Sequence, residues 1–131
     1  MVFSSPKGRL FWLYWFPVIV YCTAIFIQSA YPSPEGLPVF PFSDKILHAL
    51  GYAVLGGLFL RAFLKTNPRR GVLRLIVFSV AATTLYGVSD EIHQAFVAGR
   101  MAEGMDVAAD FAGGVFGTLG LHVSRLFHGR R

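Results

Sequence analysis

Charged residues are scarce in this chain. Only 15% of its 131 residues are Asp, Glu, Lys or Arg and 54% are hydrophobic, whereas charged residues make up about 25% of an average soluble domain. A domain of this length cannot bury so much apolar surface in a single core. The composition therefore excludes a soluble basic domain and a disordered chain, and it predicts that much of the surface faces lipid.

Cysteine is scarcer still, because Cys22 is the only one. A single cysteine cannot form a disulfide within the chain. This excludes the small secreted scaffolds that disulfides hold together.

Four apolar stretches are present, each about as long as the 20 residues that a membrane-spanning helix needs. They cover approximately residues 10–30, 44–64, 72–97 and 106–127. Four prolines separate the first stretch from the second, and proline interrupts a helix because it lacks the backbone N–H. We therefore predict an all-α fold, in which residues 1–131 form one membrane domain, a bundle of four transmembrane helices.

The basic residues predict how the chain is threaded. Two precede the first span, five surround the second connection and three follow the fourth span, so ten of the twelve lie on one side. They are Lys7, Arg9, Arg61, Lys65, Arg69, Arg70, Arg74, Arg125, Arg130 and Arg131. By the positive-inside rule this side is cytoplasmic, and both termini are cytoplasmic with it. The partners expected there are anionic membrane lipids, not nucleic acid, for which the chain has no binding motif.

All seven acidic residues fall on the opposite, outer side, where helical spacing also gives three of the spans a polar face. The second span contributes Lys45, His48 and Tyr52; the third contributes Tyr86, Asp90, His93 and Gln94; the fourth contributes Asp106, Asp110, Gly113 and Gly117. Gly113 and Gly117 would also let a neighbouring helix approach closely. Ionisable side chains in a membrane turn toward partners or water. We therefore expect the faces to converge on a pocket open to the outside, containing Lys45, His48, Asp90, Glu91, His93, Gln94, Arg100 and Asp106.

Three sequence motifs in these regions resemble the VanZ-like family, in matching order and spacing from about residue 43 to 120. The first motif is Ser43 to His48, followed by Tyr52 and Leu55-Gly56; the second is Tyr86 to Phe96, followed by Gly99-Arg100; the third is Asp106 to Asp110, with Gly113 and Gly117. The resemblance implies a multi-pass protein of a bacterial cytoplasmic membrane. The founding members of the family are accessory proteins of resistance to glycopeptide antibiotics such as teicoplanin, so it also implies a role in the cell envelope or the antibiotic response.

Two positions depart from the family pattern. Glu103 stands where the family usually has a small hydroxyl residue, and Asp110 stands where it usually has asparagine. The two additional carboxylates favour cation binding at the expected pocket more than the usual residues would.

One interpretation of the pocket is an enzyme that acts on a lipid-linked or cell-wall substrate at the outer leaflet. The catalytic candidates are His48, Asp90, Glu91 and His93, because imidazole and carboxyl groups serve as general acids and bases. The substrate-binding candidates are Lys45, Tyr52, Gln94, Arg100, Asp106 and Asp110. Among these, Lys45 and Arg100 would hold a phosphate or carboxylate.

Two other interpretations remain open. The same residues would serve a non-catalytic binder or carrier of an anionic lipid headgroup, or a small ion-coupled transporter, which at four helices would call for an oligomer. Alternatively the charges are structural, with Lys45 paired to Asp90 or Asp106 and Arg100 paired to Glu103. A divalent metal is a further alternative that the spacing does not favour, because neighbours Asp90 and Glu91 face different directions on a helix.

Overall fold

The fold is all-helical, and no strand occurs within residues 5–32 and 42–128, which the computed structural model describes. The helices are α1 (Pro6–Ser29), α2 (Ser43–Thr66), α3 (Val72–Gln94) and α4 (Gly104–His128). The all-α prediction is confirmed, and each predicted span overlaps one helix. Helix α3 ends at Gln94, whereas the sequence predicts a span to residue 97.

Three of the described helices, α1, α2 and α3, are long and apolar enough to cross a membrane. Helix α4 has 25 residues, but Asp106, Asp110 and several glycines lower the apolar content of its first half. A fourth membrane crossing is therefore still a prediction.

Helix α1 changes its hydrogen-bonding pattern before Pro17. It is α-helical over Pro6–Leu10, π-helical over Phe11–Trp15 and α-helical again over Phe16–Ser29. Pro17 has no N–H to donate to the carbonyl of residue 13, and a single π-helical turn is one way in which a helix absorbs such a local irregularity.

Helices α2 and α4 form the most extensive contact in the bundle, and two glycines of α4 make it close. A Cβ atom on Gly113 would overlap the backbone of Ala49, and one on Gly117 would overlap the backbone of Ala53. Their spacing of four residues puts both glycines on one face of α4. The two backbones are in direct contact there, as the small-residue pattern predicts.

Charge distinguishes the two ends of the bundle. Asp44 and Asp106 lie in the first turns of α2 and α4, and Lys65 and Arg125 lie in their last turns, which is favourable for the helix dipoles. Successive helices run in opposite directions, so residues 29, 43, 94 and 104 meet at one end, here called the acidic end. At the other, basic end, the Arg61 guanidinium lies 4.8 Å from the centre of the Tyr14 ring.

Candidate functional site at the acidic end

The acidic end holds two separate networks of buried polar side chains. The first, here called the His48 cluster, consists of His48, Glu91 and Asp110. In it the Nδ1 atom of His48 lies 2.9 Å from Oδ1 of Asp110. Asp110 is fully buried, and its second oxygen has no hydrogen-bond partner within the described part of the chain.

A glycine provides the space for the Asp110 carboxylate. A Cβ atom on Gly87 of α3 would lie 2.5 Å from Oδ2 of Asp110 and 3.0 Å from its Cβ, which is too close for any larger residue. Gly87 lies four residues before Glu91, one helical turn away on the same helix. Helix α3 therefore makes room for Asp110 at Gly87 and contributes Glu91 to the cluster one turn later.

Glu91 completes the His48 cluster from α3. Its Oε2 atom accepts a hydrogen bond of 3.0 Å from the backbone N–H of Glu103, while its Oε1 atom has no partner among the described residues. One ligand-type atom from each of His48, Glu91 and Asp110 lies within 4.8 Å of the others. Three helices thus bring an imidazole and two carboxylates to one point.

Lys45 lies beside this cluster and is surrounded by carboxylates. Its Nζ atom is 2.7 Å from Asp44, 2.7 Å from Glu103 and 2.6 Å from Asp106. The predicted pairing of Lys45 with Asp106 is confirmed, and the alternative with Asp90 is not found. The other expected pair, Arg100 with Glu103, is not among the ion pairs of residues 5–32 and 42–128, where Glu103 pairs with Lys45.

The second network, here called the Asp90 network, links α1, α3 and the connection after α3. Oδ2 of Asp90 accepts hydrogen bonds from Ser29 (2.9 Å) and from the side-chain amide of Gln94 (3.0 Å). The carbonyl oxygen of that amide accepts from Nε (3.2 Å) and Nη2 (2.8 Å) of Arg100. Asp90 thereby orients Arg100 through Gln94, and both Asp90 and Gln94 are buried.

Asp90 and Glu91 are adjacent residues whose side chains point about 100° apart around α3, so they do not meet at one point, as helical geometry predicts. Tyr52 of α2 is buried near both networks. Its ring is stacked at 6.2 Å from the His48 ring and lies 6.4 Å from the Tyr86 ring.

His93 does not join the His48 cluster. It lies two residues after Glu91, about 200° around the helix, and its ring stacks on Phe26 of α1 with a centroid separation of 4.2 Å. The expectation of one pocket containing both histidines is therefore wrong in this respect.

Sequence reasoning missed one residue of the site. Ser29 is fully buried and donates to Asp90, although it stands at the end of an apolar span where a serine has no distinctive pattern. Glu103 was singled out only as a departure from the family pattern, yet it contacts both Lys45 and Glu91.

Apolar helices of membrane-crossing length, with ionisable groups buried at one end, are typical of integral membrane proteins. The family model described as VanZ/LLP1 matches residues 9–125. The chain belongs to this family, as its three motifs suggest. Neither the search of curated proteins nor the search of solved structures gave a significant match.

Proposed function

We propose that the chain is a four-span protein of a bacterial cytoplasmic membrane, with both termini in the cytoplasm and the acidic end facing outside. Support for a fourth crossing comes from the apolar surface of α4. Seven of its large apolar side chains are exposed: Met105, Phe111, Phe116, Leu119, Val123, Leu126 and Phe127. The concentration of lysine and arginine at the opposite end supports the orientation.

In this orientation the acidic end meets lipid headgroups and cell-wall precursors at the outer leaflet. We propose that the protein is an enzyme that acts there on a lipid-linked or cell-wall substrate, in the cell-envelope or glycopeptide-antibiotic response. The observation that carries this proposal is the His48 cluster, an imidazole and two carboxylates that lie within 4.8 Å of one another and are largely removed from solvent. Such groups activate water or a hydroxyl, either by accepting a proton or by holding a cation.

The Asp90 network supplies the substrate-binding part of the proposal. Gln94 holds the Arg100 guanidinium through Nε and Nη2, and a guanidinium oriented in this way is suited to bind a phosphate or carboxylate. Three carboxylates surround the ammonium group of Lys45. Lys45 and Asp106 therefore tie α2 to α4 in this proposal.

A drug-susceptibility panel tests the proposal. Wild type and the variants His48→Ala, Glu91→Gln and Arg100→Ala would be produced in a susceptible bacterium and challenged with teicoplanin. We expect protection from the wild type and its loss in all three variants at equal protein levels. The control is His122→Ala, because His122 lies near the basic end of α4. Equal protection by all variants would show that the site does not carry the function.

A second candidate function is binding or transport without chemical change. The buried Glu91 carboxylate favours it, since one of its oxygens has no hydrogen-bond partner in the described part of the chain and membrane carriers hold ions or protons with such groups. Mass spectrometry of lipid-linked precursors separates the two candidates. If the protein is an enzyme, the precursor pool should change in cells that produce the wild type and stay unchanged in cells that produce Glu91→Gln. If it is a binder, the pool should stay unchanged in both.

A further inference from the structure

Carboxylates outnumber basic residues at the acidic end. Its described residues include six acids (Asp44, Asp90, Glu91, Glu103, Asp106 and Asp110), two always-charged bases (Lys45 and Arg100) and two histidines (His48 and His93). Buried charges in proteins are paired or bound to metal ions, so this end has a deficit of positive charge.

The deficit is concentrated in the His48 cluster. The three carboxylates around Lys45 share its ammonium group, whereas no lysine or arginine forms an ion pair with Glu91 or Asp110 in the described structure. These two side chains are 6% and 0% exposed. Each also keeps one carboxylate oxygen without a hydrogen-bond partner there. Of the described basic side chains, only His48 lies within the cluster that these two buried carboxylates form.

The three side chains could together hold a metal ion. One donor atom from each of His48, Glu91 and Asp110 lies within 4.8 Å of the other two. A tetrahedral ion about 2.0–2.2 Å from each donor would draw the donors to roughly 3.5 Å from one another. The neighbouring group of Asp44, Glu103 and Asp106 has similar spacing. There, however, the Lys45 ammonium already occupies the centre.

The ligand types indicate which cation fits. Magnesium and calcium prefer sites made of oxygen atoms, whereas imidazole combined with carboxylates is typical of zinc. We propose that His48, Glu91 and Asp110 bind one Zn²⁺ ion. Three protein ligands with a fourth position open is the composition of catalytic zinc sites, in which bound water becomes a nucleophile near neutral pH. The inference rests on the proposed function only for this catalytic role, since binding itself follows from the cluster.

Direct metal binding tests the inference. The protein would be purified in detergent through a tag without histidine, stripped with chelator and titrated with Zn²⁺ alone by calorimetry, with bound zinc counted by elemental analysis. We expect one Zn²⁺ per chain in the wild type. Glu91→Gln and His48→Asn should each weaken binding by at least roughly tenfold, the lower limit seen even for partners outside the coordination sphere.

Asp90→Asn is the matched control. It also neutralises a buried carboxylate, in the adjacent residue, but one that bonds to Ser29 and Gln94 and is not among the proposed ligands, so its Zn²⁺ affinity should stay near that of the wild type. Circular dichroism of every variant would verify that the helices remain folded. The inference is overturned by a wild type that binds no Zn²⁺, by Glu91→Gln and His48→Asn that bind like wild type, or by an equal loss in Asp90→Asn.

Failure of this inference can be distinguished from failure of the proposed function. Loss of teicoplanin protection in His48→Ala, together with a wild type that binds no Zn²⁺, would leave the functional site standing without a metal. Stoichiometric Zn²⁺ binding, together with full protection by His48→Ala, would leave the metal site standing without that function.

Discussion

The imidazole of His48 and the carboxylate of Asp110 lie 2.9 Å apart, beside one of the two close approaches of their helices. Ala49 directly follows His48, and Gly113 lies three residues after Asp110. The backbones of α2 and α4 touch at these two residues, where a Cβ on Gly113 would overlap Ala49. The separation of two ionisable groups is therefore controlled by a pair of small apolar residues.

The first prediction concerns this helix contact. Gly113→Ala should push α4 away from α2 and lower the free energy of unfolding by about 1–3 kcal/mol, the usual cost of overpacking. Thermal or detergent-induced unfolding of the purified protein measures the change. Gly120→Ala is the matched control, because a Cβ there meets nothing within 4 Å. Equal stability of the two variants would show that the close approach is unimportant.

A second glycine should affect the site more than the fold. In Gly87→Ala the new Cβ would displace the Asp110 carboxylate, which lies 2.5 Å from that position. We expect loss of teicoplanin protection and at least roughly tenfold weaker Zn²⁺ binding, with helical content unchanged by circular dichroism. Gly71→Ala should behave as wild type, because Gly71 has open space around it. An unaffected Gly87→Ala would contradict the role given to Asp110.

Ser29 should contribute to stability through Asp90. Ser29→Ala removes a buried donor from the Asp90 carboxylate, which should cost about 1–3 kcal/mol. Thr23→Ala is the control, because the exposed Thr23 hydroxyl donates only to a carbonyl of its own helix. A double-mutant cycle with Asp90→Asn should give a coupling of more than about 0.5 kcal/mol. Simple additivity of the two substitutions would rule out the contact.

Lys45 should contribute far more to stability than its partner Glu103. Lys45→Met leaves three carboxylates close together without a cation, so we expect a clear fall in unfolding temperature. Asp106→Asn should restore part of it by removing one of those charges. Glu103→Ser should change stability by less than about 1 kcal/mol, because Glu103 is 47% exposed and surface ion pairs contribute little. A larger effect from Glu103→Ser than from Lys45→Met would reverse this ranking.

The proposed topology predicts which cysteines are accessible from each side. In a Cys22→Ser background, an impermeant thiol reagent added to intact cells should label Ala102→Cys at the acidic end. It should label His128→Cys at the basic end only after the membrane is opened. Labelling of both positions in intact cells would show that α4 does not cross the membrane.

Much of the fold follows from the sequence because its strongest signals are local. Apolar length sets the extent of α1, α2 and α3, and the i, i+4 spacing of Gly113 and Gly117 correctly predicts a close helix contact. The apolar signal is weaker in α4, where Asp106 and Asp110 interrupt the apolar run. Both residues turn inward, Asp106 to Lys45 as one predicted alternative has it and Asp110 to His48, a pair that the sequence does not predict.

The sequence predicts most of the residues of the candidate site, but not how they divide into two networks. Helical spacing indicates that Asp90 and Glu91 diverge, yet it does not say which neighbour each of them meets. That depends on how the other helices are placed around α3. For the same reason His93, only two residues from Glu91, packs against Phe26 of α1, and Ser29 joins the site without any pattern of its own.

The backbone contact at Ala49 and Gly113 also bears on how such a site can change over time. Two small residues without reactive side chains set the distance between the helices. The neighbouring side chains can therefore be substituted without moving the helix backbones. A lineage that replaced His48 or Asp110 would present a different reactive pair at the same separation. The two small residues would then be more constant than the reaction they serve.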